Sequence, residues 1–239
     1  MKSHIKIIAL SVLLGASSAA VADDEPKNFS VTVGLKAWAN EWTSWNMPGA
    51  AQQPASNTVL SFNPSVTVKY KNFFASGGFM PKKTYDMPGS TTGTVGQASR
   101  KEMDLSVGYY VHPQIGVTVG YKQITQTWGV TDYVWKIPAV GVSAAAAIQE
   151  TKMFMYGNLA VGFATMTTSD NTAAVWNMKG GTYTTSEFGL GYSILPSFRM
   201  TLGYKSQSIP TSMEAQLTTT RINMVDSTRG FVLGGSYTF

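Results

Sequence analysis

Apolar and polar residues alternate with a period of two along most of this 239-residue chain. In residues 29–37, for example, Phe, Val, Val, Leu and Ala occupy alternate positions, with Ser, Thr, Gly and Lys between them. Successive side chains of a β-strand point to opposite faces, so this period predicts strands with one apolar and one polar face. No segment after residue 22 approaches the eighteen or more apolar residues that a membrane-spanning helix needs. The pattern therefore predicts an all-β protein.

The alternating segments predict ten strands joined by two kinds of connection. The predicted strands cover residues 28–42, 58–70, 73–82, 100–111, 115–128, 133–148, 153–167, 182–194, 198–209 and 228–239. Tight turns near 71–72, 112–114, 149–152 and 195–197 alternate with connections at 43–57, 83–99, 129–132, 168–181 and 210–227, of which all but the third are long. Short turns on one side and long loops on the other are typical of outer-membrane barrels. We predict an antiparallel up-and-down transmembrane β-barrel of ten strands, with eight or twelve as alternatives and both termini in the periplasm.

The polar face of the strands favours a membrane barrel over a soluble one. It consists mainly of Gly, Ser and Thr with isolated charges, and charged residues make up 13% of the chain, about half the share usual in soluble proteins. This composition suits a confined lumen, with the apolar face toward lipid. Aromatic residues near both strand ends match the girdles that membrane interfaces select. The predicted interface aromatics are Trp42, Tyr70, Tyr109, Tyr121, Trp128, Trp135, Tyr192, Tyr204, Tyr237 and Phe239. The alternative is a soluble β-barrel or sandwich with its apolar face inward.

The first 22 residues have the three parts of a secretory signal peptide. Lys2 and Lys6 form a positively charged start, residues 7–15 are apolar, and residues 20–22 (Ala-Val-Ala) form a small-x-small cleavage site. Cleavage is expected to leave residues 23–239 as one barrel domain with 16 Lys and Arg against 13 Asp and Glu, because two lysines are lost. That balance is too mild to indicate nucleic acid binding. The chain has no cysteine, so neither disulfides nor thiolate ligands are expected.

The C-terminus carries a more specific pattern. The last five residues, 235–239, read Gly-Ser-Tyr-Thr-Phe, alternating aromatic and small or polar residues and ending in phenylalanine. This segment resembles the C-terminal strand signature of bacterial outer-membrane proteins. Together with the signal peptide and the strand pattern, the resemblance extends over the chain, but it is to a superclass and not to one family. It implies a bacterial outer-membrane location, contact with outer-membrane lipid, and assembly by the barrel-assembly machinery, which reads the terminal strand.

An internal duplication is the most specific feature of the sequence. Residues 104–122 and 187–205 align without a gap at an offset of 83. The identical positions are Gly108/Gly191, Tyr109/Tyr192, Pro113/Pro196, Thr118/Thr201, Gly120/Gly203, Tyr121/Tyr204 and Lys122/Lys205. Each copy is predicted to be a hairpin folded about its proline.

The spacing within each copy predicts a pair of opposite charges. Asp104 and Lys122 each lie nine residues from Pro113, and the same spacing relates Glu187 and Lys205 to the second proline. If each hairpin is centred on its proline, each acid faces its lysine across the ladder. Pairing is also expected on energetic grounds, because a lone charge in a lumen would cost several kcal/mol.

The alternation places eight charged residues in the predicted lumen. They are Lys36, Lys69, Glu102, Asp104, Lys122, Glu187, Arg199 and Lys205. Two interpretations follow. In the first, favoured one, the charges form a salt-bridged plug, because barrels near eight strands are just wide enough for side chains to fill them. In the second, the excess of positive charge lines a narrow, weakly anion-favouring pore.

No catalytic site is predicted. Hydrolytic outer-membrane barrels commonly use Ser-His or Asp-His machinery, but His4 leaves with the signal peptide and His112 lies in a tight turn on the periplasmic side. Phosphate-loop, zinc and calcium motifs are absent, so no cofactor or metal is expected. The sequence predicts a narrow, porin-like channel or a structural surface protein that meets a small solute or a surface ligand. A soluble periplasmic barrel that binds an apolar ligand is the alternative, and an outer-membrane enzyme is less favoured.

Overall fold

A computed structural model of the chain describes residues 28–43, 55–87, 96–168, 176–215 and 221–239. The strands are β1 (Phe29–Thr43), β2 (Val59–Tyr70), β3 (Phe73–Met87), β4 (Gly96–His112), β5 (Ile115–Trp128), β6 (Thr131–Ala147), β7 (Met153–Thr168), β8 (Trp176–Lys179), β9 (Gly181–Leu195), β10 (Phe198–Ala215) and β11 (Arg221–Thr238). All are antiparallel, and β11 pairs with both β10 and β1, which closes the sheet.

The closed sheet is a ten-stranded barrel, as the alternation predicted. β8 and β9 both pair with β10 and together form one barrel strand that is interrupted at Gly180. Among the described residues there is no helix that is long and apolar enough to cross a membrane.

Several strands extend further from the periplasmic turns than predicted. The predicted connection at 83–99 largely belongs to β3 and β4, and that at 210–227 largely belongs to β10 and β11, whose ladder runs to the pair Glu214 and Arg221. Beyond the lipid, an outward side chain no longer has to be apolar, so the alternation disappears while the backbone ladder continues. Residues 44–54 and 169–175 of the predicted loops, and the predicted signal peptide, lie outside the described residues.

The outer face carries a continuous apolar belt. Large apolar side chains on it remain widely exposed, for example Val119 at 62% and Phe163 at 75%, whereas neighbours along the strands such as Thr118 and Ala164 point inward. This orientation is the reverse of that in a soluble barrel, where apolar side chains fill the interior. The belt is the surface that a lipid bilayer would cover.

The predicted interface aromatics fall into two groups. Seven lie on the outer face, where six are widely exposed and Tyr121 is half-buried: Tyr70, Tyr109, Tyr121, Tyr192, Tyr204, Tyr237 and Phe239. The prediction was wrong for Trp42, Trp128 and Trp135. The rings of the first and third are 0% exposed inside the barrel, and the second packs against the first. The reason is parity: each of the three stands an even number of residues from an inward side chain of its own strand.

One interval of the wall differs from the rest. β2 and β3 form only six ladder pairs, from Ser65–Gly78 to Tyr70–Phe73, whereas every other neighbouring pair of barrel strands forms at least eleven. Seven positions on each side, 58–64 and 79–85, have no ladder partner across this interval of the described chain. We call this interval the seam.

Candidate functional site

The upper lumen is filled by side chains around a buried arginine. Arg100 on β4 is 1% exposed, and its Nε and Nη1 atoms donate to Glu102 Oε1 at 2.8 Å and Asp226 Oδ1 at 2.9 Å. Its guanidinium also lies 5.6 Å from the ring centre of Trp42. Two carboxylates and an aromatic ring therefore surround this cation, which satisfies the requirement that a buried charge be paired.

Asp226 on β11 links the arginine to two further strands. Its Oδ2 atom accepts hydrogen bonds from Trp42 Nε1 and Gln126 Nε2, both at 2.8 Å. The Trp42 ring packs edge-on against Tyr85 and Trp128, with centroids 5.4 and 5.5 Å away. We call this set, Trp42, Tyr85, Arg100, Gln126, Trp128 and Asp226, the upper plug. It joins β1, β3, β4, β5 and β11 and lies in the lumen toward the loop end.

The lower lumen is filled by four aromatic residues, Phe74, Tyr110, Phe154 and Tyr156, which we call the lower plug. All are at most 7% exposed, and they pack in two pairs with ring centroids 4.8 and 6.5 Å apart. Glycines make room for the rings: a Cβ atom at Gly108 would lie 2.3 Å from Phe74 Cζ, and one at Gly191 would lie 2.0 Å from Phe154 Cζ. These glycines are identical positions of the duplication, so each repeat supplies space for one ring.

The structure places all eight predicted lumen charges on the inner face. Lys69 and Arg199 lie near the periplasmic end, where their cationic groups are 5.1 and 5.9 Å from the rings of Tyr110 and Phe154. The remaining six lie between the plugs. The sequence therefore predicted the charged residues between the two plugs but not the aromatic side chains of the plugs themselves.

The first predicted charge pair is present and has an additional partner. Asp104 and Lys122 are ladder partners, and Lys122 Nζ donates to the two carboxylate oxygens of Asp104 at 2.9 and 3.0 Å. The same ammonium group also forms an ion pair with Glu102. Gln207 donates to the Glu102 carboxylate at 3.1 Å, so this acid is held from three sides.

The second predicted pair keeps its register but not its ion pair. Glu187 and Lys205 are ladder partners, yet the Glu187 carboxylate binds Lys36 of β1 across the lumen, at 2.6 and 2.9 Å. The Lys205 ammonium lies 4.4 Å from the ring centre of Trp38 instead. It forms no ion pair with a carboxylate of the described residues.

A chamber of about 70 Å³ lies between the two plugs. Charged and amide side chains line much of it: Lys36, Asp104, Lys122, Asn158, Glu187 and Lys205. Asn158, opposite Glu187 on the ladder, is 3% exposed, and neither its amide nitrogen nor its amide oxygen has a hydrogen-bond partner among the described residues. A buried amide without partners is costly, so this side chain is poised to bind water or a polar solute.

Sequence reasoning missed Arg100, Gln126 and Asp226. Arg100 has the parity of Glu102, so alternation could have placed it inside, but it fell at the predicted strand boundary. Asp226 fell in a predicted loop, and nothing in the sequence indicates that it meets a residue 126 positions away. Within the described chain, no group of three His, Cys, Asp or Glu residues could hold a metal ion. His112 lies at the periplasmic end of β4, remote from the chamber.

The geometry defines the class of protein: a closed, antiparallel transmembrane barrel with an apolar belt outside and a packed polar lumen. No protein-family model and no curated protein sequence matches the chain. Among solved structures, the outer membrane protease OmpT from Escherichia coli aligns at a TM-score of 0.53, with 10% identity over 93% of this chain and 100% of that one. OprG from Pseudomonas aeruginosa aligns at 0.40, with 12% identity over 88% and 95%, and the toluene transporter TodX from P. putida at 0.34, with 8% identity over 90% of both chains. The chain therefore has the fold of small bacterial outer-membrane β-barrels.

Proposed function

We propose that this barrel is a narrow outer-membrane channel for small polar solutes, which is closed along its axis by the upper and lower plugs. The observation that carries the proposal is the charged chamber between them. A lumen with a purely structural interior has no need of a space that leaves a buried amide unpartnered. The chamber is large enough for a few water molecules or one small solute.

The plugs are consistent with a channel of low conductance. Ten-stranded barrels are close to the size at which side chains fill the interior, far below the 16 to 18 strands of porins with an aqueous pore. The plugs consist of single side chains and not of a folded segment, and side-chain rotamer changes are fast. Passage would therefore need brief displacement of a few rings, and we expect rare, small conductance events.

The charge balance favours a weak preference for anions. In the upper plug and the chamber, four cations, Lys36, Arg100, Lys122 and Lys205, balance four acids, Glu102, Asp104, Glu187 and Asp226. The two further lumen cations, Lys69 and Arg199, lie at the periplasmic end. An anion that enters from the periplasm therefore meets two positive charges first. The proposal includes no catalytic activity, because no nucleophile and base are assigned to the lumen.

The second candidate is a structural or surface protein with a permanently closed lumen. The tight packing of both plugs favours it. Uptake by proteoliposomes distinguishes the two: the channel proposal expects an osmotic swelling rate above that of empty vesicles for solutes the size of glycine, and no increase for a disaccharide. Swelling at the empty-vesicle rate for every solute, with insertion shown by gel mobility, would favour the closed structural barrel.

A further inference from the structure

We infer that the chamber also opens sideways through the seam between β2 and β3, and that it takes up a single-chain amphiphile with a compact carboxylate head from the outer leaflet. This inference rests on the chamber itself and goes beyond the proposed axial channel. It adds the route of entry and the chemical class of the ligand.

The seam does not result from a slip of one strand along the other, because the two strands keep one register on both sides of it. Below the seam, Ser65 pairs with Gly78. Above it, the Asn57 nitrogen donates to the Asp86 carbonyl oxygen at 3.2 Å, and the Asp86 nitrogen donates to Asn57 Oδ1 at 3.0 Å. The residue numbers of both pairs sum to 143, so neither strand has slipped between them. At about 3.3 Å per residue, seven unpaired positions make an interval roughly 20 Å long.

Two prolines on the facing strands explain why the ladder stops. Pro64 on β2 and Pro81 on β3 both lie in the seam, and proline has no N–H group to donate to a ladder. β3 also has an irregularity between Met80 and Lys83 in its pairing with β4. Pro138 on β6 is the internal comparison, because the ladder around it resumes after only two positions. A single proline therefore does not interrupt a ladder to this extent.

The position of the seam in the membrane is unusual for unpaired backbone. Outward apolar side chains flank it up to Leu60, which stands opposite Lys83 in this register: Leu60 and Phe62 on β2 and Phe79 on β3 are 44–50% exposed. Its upper part carries Lys82 and Lys83. Unsatisfied backbone groups are not tolerated against lipid unless they are covered or line a wet cavity. The seam thus starts within the apolar belt, and two lysines accompany the apolar side chains in its upper part.

The chamber reaches the seam. Pro64, Ser65 and Gly78 at the lower end of the seam line the same cavity as Lys36 and Glu187 in the lumen. Phe79 and Leu105, whose side chains lie on the outer face, also line it. The cavity therefore connects inner charges with the lipid-facing surface, and an amphiphile can keep its chain among apolar residues while its head enters the lumen.

The groups inside the chamber select an anionic head. The Lys205 ammonium is only partly buried and forms no ion pair among the described residues, and Asn158 offers an unpartnered amide donor. A carboxylate would form an ion pair with the Lys205 ammonium and accept a hydrogen bond from the Asn158 amide. The chamber volume of about 70 Å³ admits a carboxylate and the first methylene groups but not a phospholipid headgroup.

The first experiment measures binding of dodecanoate and dodecanol to the folded full-length barrel in detergent, by isothermal titration calorimetry. We expect dodecanoate to bind at least tenfold more tightly than dodecanol, and Lys205→Met to abolish this preference while leaving dodecanol binding unchanged. Lys136→Met is the matched control, because that lysine is exposed on the outer face of β6. Equal binding of the two probes by the wild-type barrel would overturn the assignment of the anionic head.

The second experiment closes the seam chemically. Asn63→Cys with Met80→Cys places two thiols opposite each other across the seam, since 63 and 80 also sum to 143, and the chain has no other cysteine. Thr67→Cys with Ser76→Cys is the control on the same two strands, below the seam, where the side chains already meet at 3.0 Å. Cross-linking of the first pair with a short bifunctional thiol reagent should abolish dodecanoate uptake from vesicles, and cross-linking of the control pair should not.

The outcomes separate the inference from the proposed function. Uptake that persists after cross-linking of the seam, with the cross-link shown by mass spectrometry, would overturn the lateral route and leave the axial channel untouched. If proteoliposomes do not swell with any solute while dodecanoate binding is normal, the proposed channel is overturned and the lateral site is not. Heat-modifiable gel mobility shows that each variant is folded.

Discussion

The two hairpins of the internal duplication have the same spacing, the same register and different electrostatics. In the first, Lys122 faces Asp104 and binds it, together with Glu102. In the second, Lys205 faces Glu187, but Lys36 from β1 occupies that carboxylate. A repeated sequence thus fixes which residues face each other, while the closure of the barrel decides which of them bond. We call Lys122, which two carboxylates hold, the structural lysine. We call Lys205, which has no ion pair among the described residues, the available lysine.

The largest expected effect is at the structural lysine. Lys122→Met would leave Glu102 and Asp104 without the cation that they share, and breaking a buried pair by removing one partner typically costs about 3–5 kcal/mol. We expect the variant to unfold at a markedly lower urea concentration, measured in detergent by gel mobility. Lys122→Arg is the matched control, since it keeps the charge. An unfolding midpoint of Lys122→Met equal to that of the wild type would contradict the structural role of Lys122.

Removal of the acid of the second hairpin should cost less. Glu187→Gln leaves two lysines, Lys36 and Lys205, next to a neutral amide, but the Lys36 side chain is 18% exposed and can rehydrate in the chamber. We expect a loss of about 2 kcal/mol, below the range for a fully buried pair. The double variant Glu187→Gln with Lys36→Met should recover part of that loss. No recovery in the double variant would show that the two side chains are not coupled.

Both duplicated glycines should be sensitive to an added methyl group, because each faces one ring of the lower plug, and a Cβ atom at Gly108 would also lie 2.5 Å from the Val117 carbonyl oxygen. Gly108→Ala and Gly191→Ala would bring a Cβ atom within 2.3 and 2.0 Å of Phe74 and Phe154. Overpacking of this kind costs about 1–3 kcal/mol. Combining Gly191→Ala with Phe154→Leu should restore part of the stability, as measured by urea unfolding. Alanine at either glycine without any loss would mean that the rings do not fill the lumen as described.

The smallest effect on stability is expected at the available lysine. Lys205→Met removes a cation over the Trp38 ring, an interaction typically worth about 0.5–2 kcal/mol, and adds apolar surface against that ring. We expect the midpoint of unfolding to change by the equivalent of about 1 kcal/mol or less. A loss as large as that of Lys122→Met would show that the two lysines have the same role, against the comparison made above.

The sequence predicted the fold well, because period-two alternation and barrel geometry depend on the same constraint. Membrane strands must be apolar on one side at every second residue, so Lys122 and Glu187 could be placed inside by counting. Spacing about a proline likewise predicted that Asp104 faces Lys122. Both signals are local, within one hairpin.

The parts that could not be predicted are those that depend on closure of the barrel. The pair Lys36 and Glu187 is separated by 151 residues, and no pattern along the chain indicates that they meet. The three tryptophans Trp42, Trp128 and Trp135 lie inside because parity, and not height along the strand, decides which face a side chain occupies. For the seam a signal was present, since Pro64 and Pro81 are visible in the sequence, but only the pairing shows that they face each other across one interval.

Single-channel recording in a planar bilayer tests the central claim most directly, namely that side-chain plugs close a barrel that would otherwise conduct. The variant to compare with the wild type carries Trp42→Ala, Trp128→Ala, Phe74→Ala and Phe154→Ala, and Phe163→Ala with Phe231→Ala on the outer face is the control. The account predicts rare, small steps for the wild type and the control, and steady, several-fold larger steps for the plug variant, with a reversal potential that indicates anion preference. Silence from the inserted, folded plug variant would contradict it.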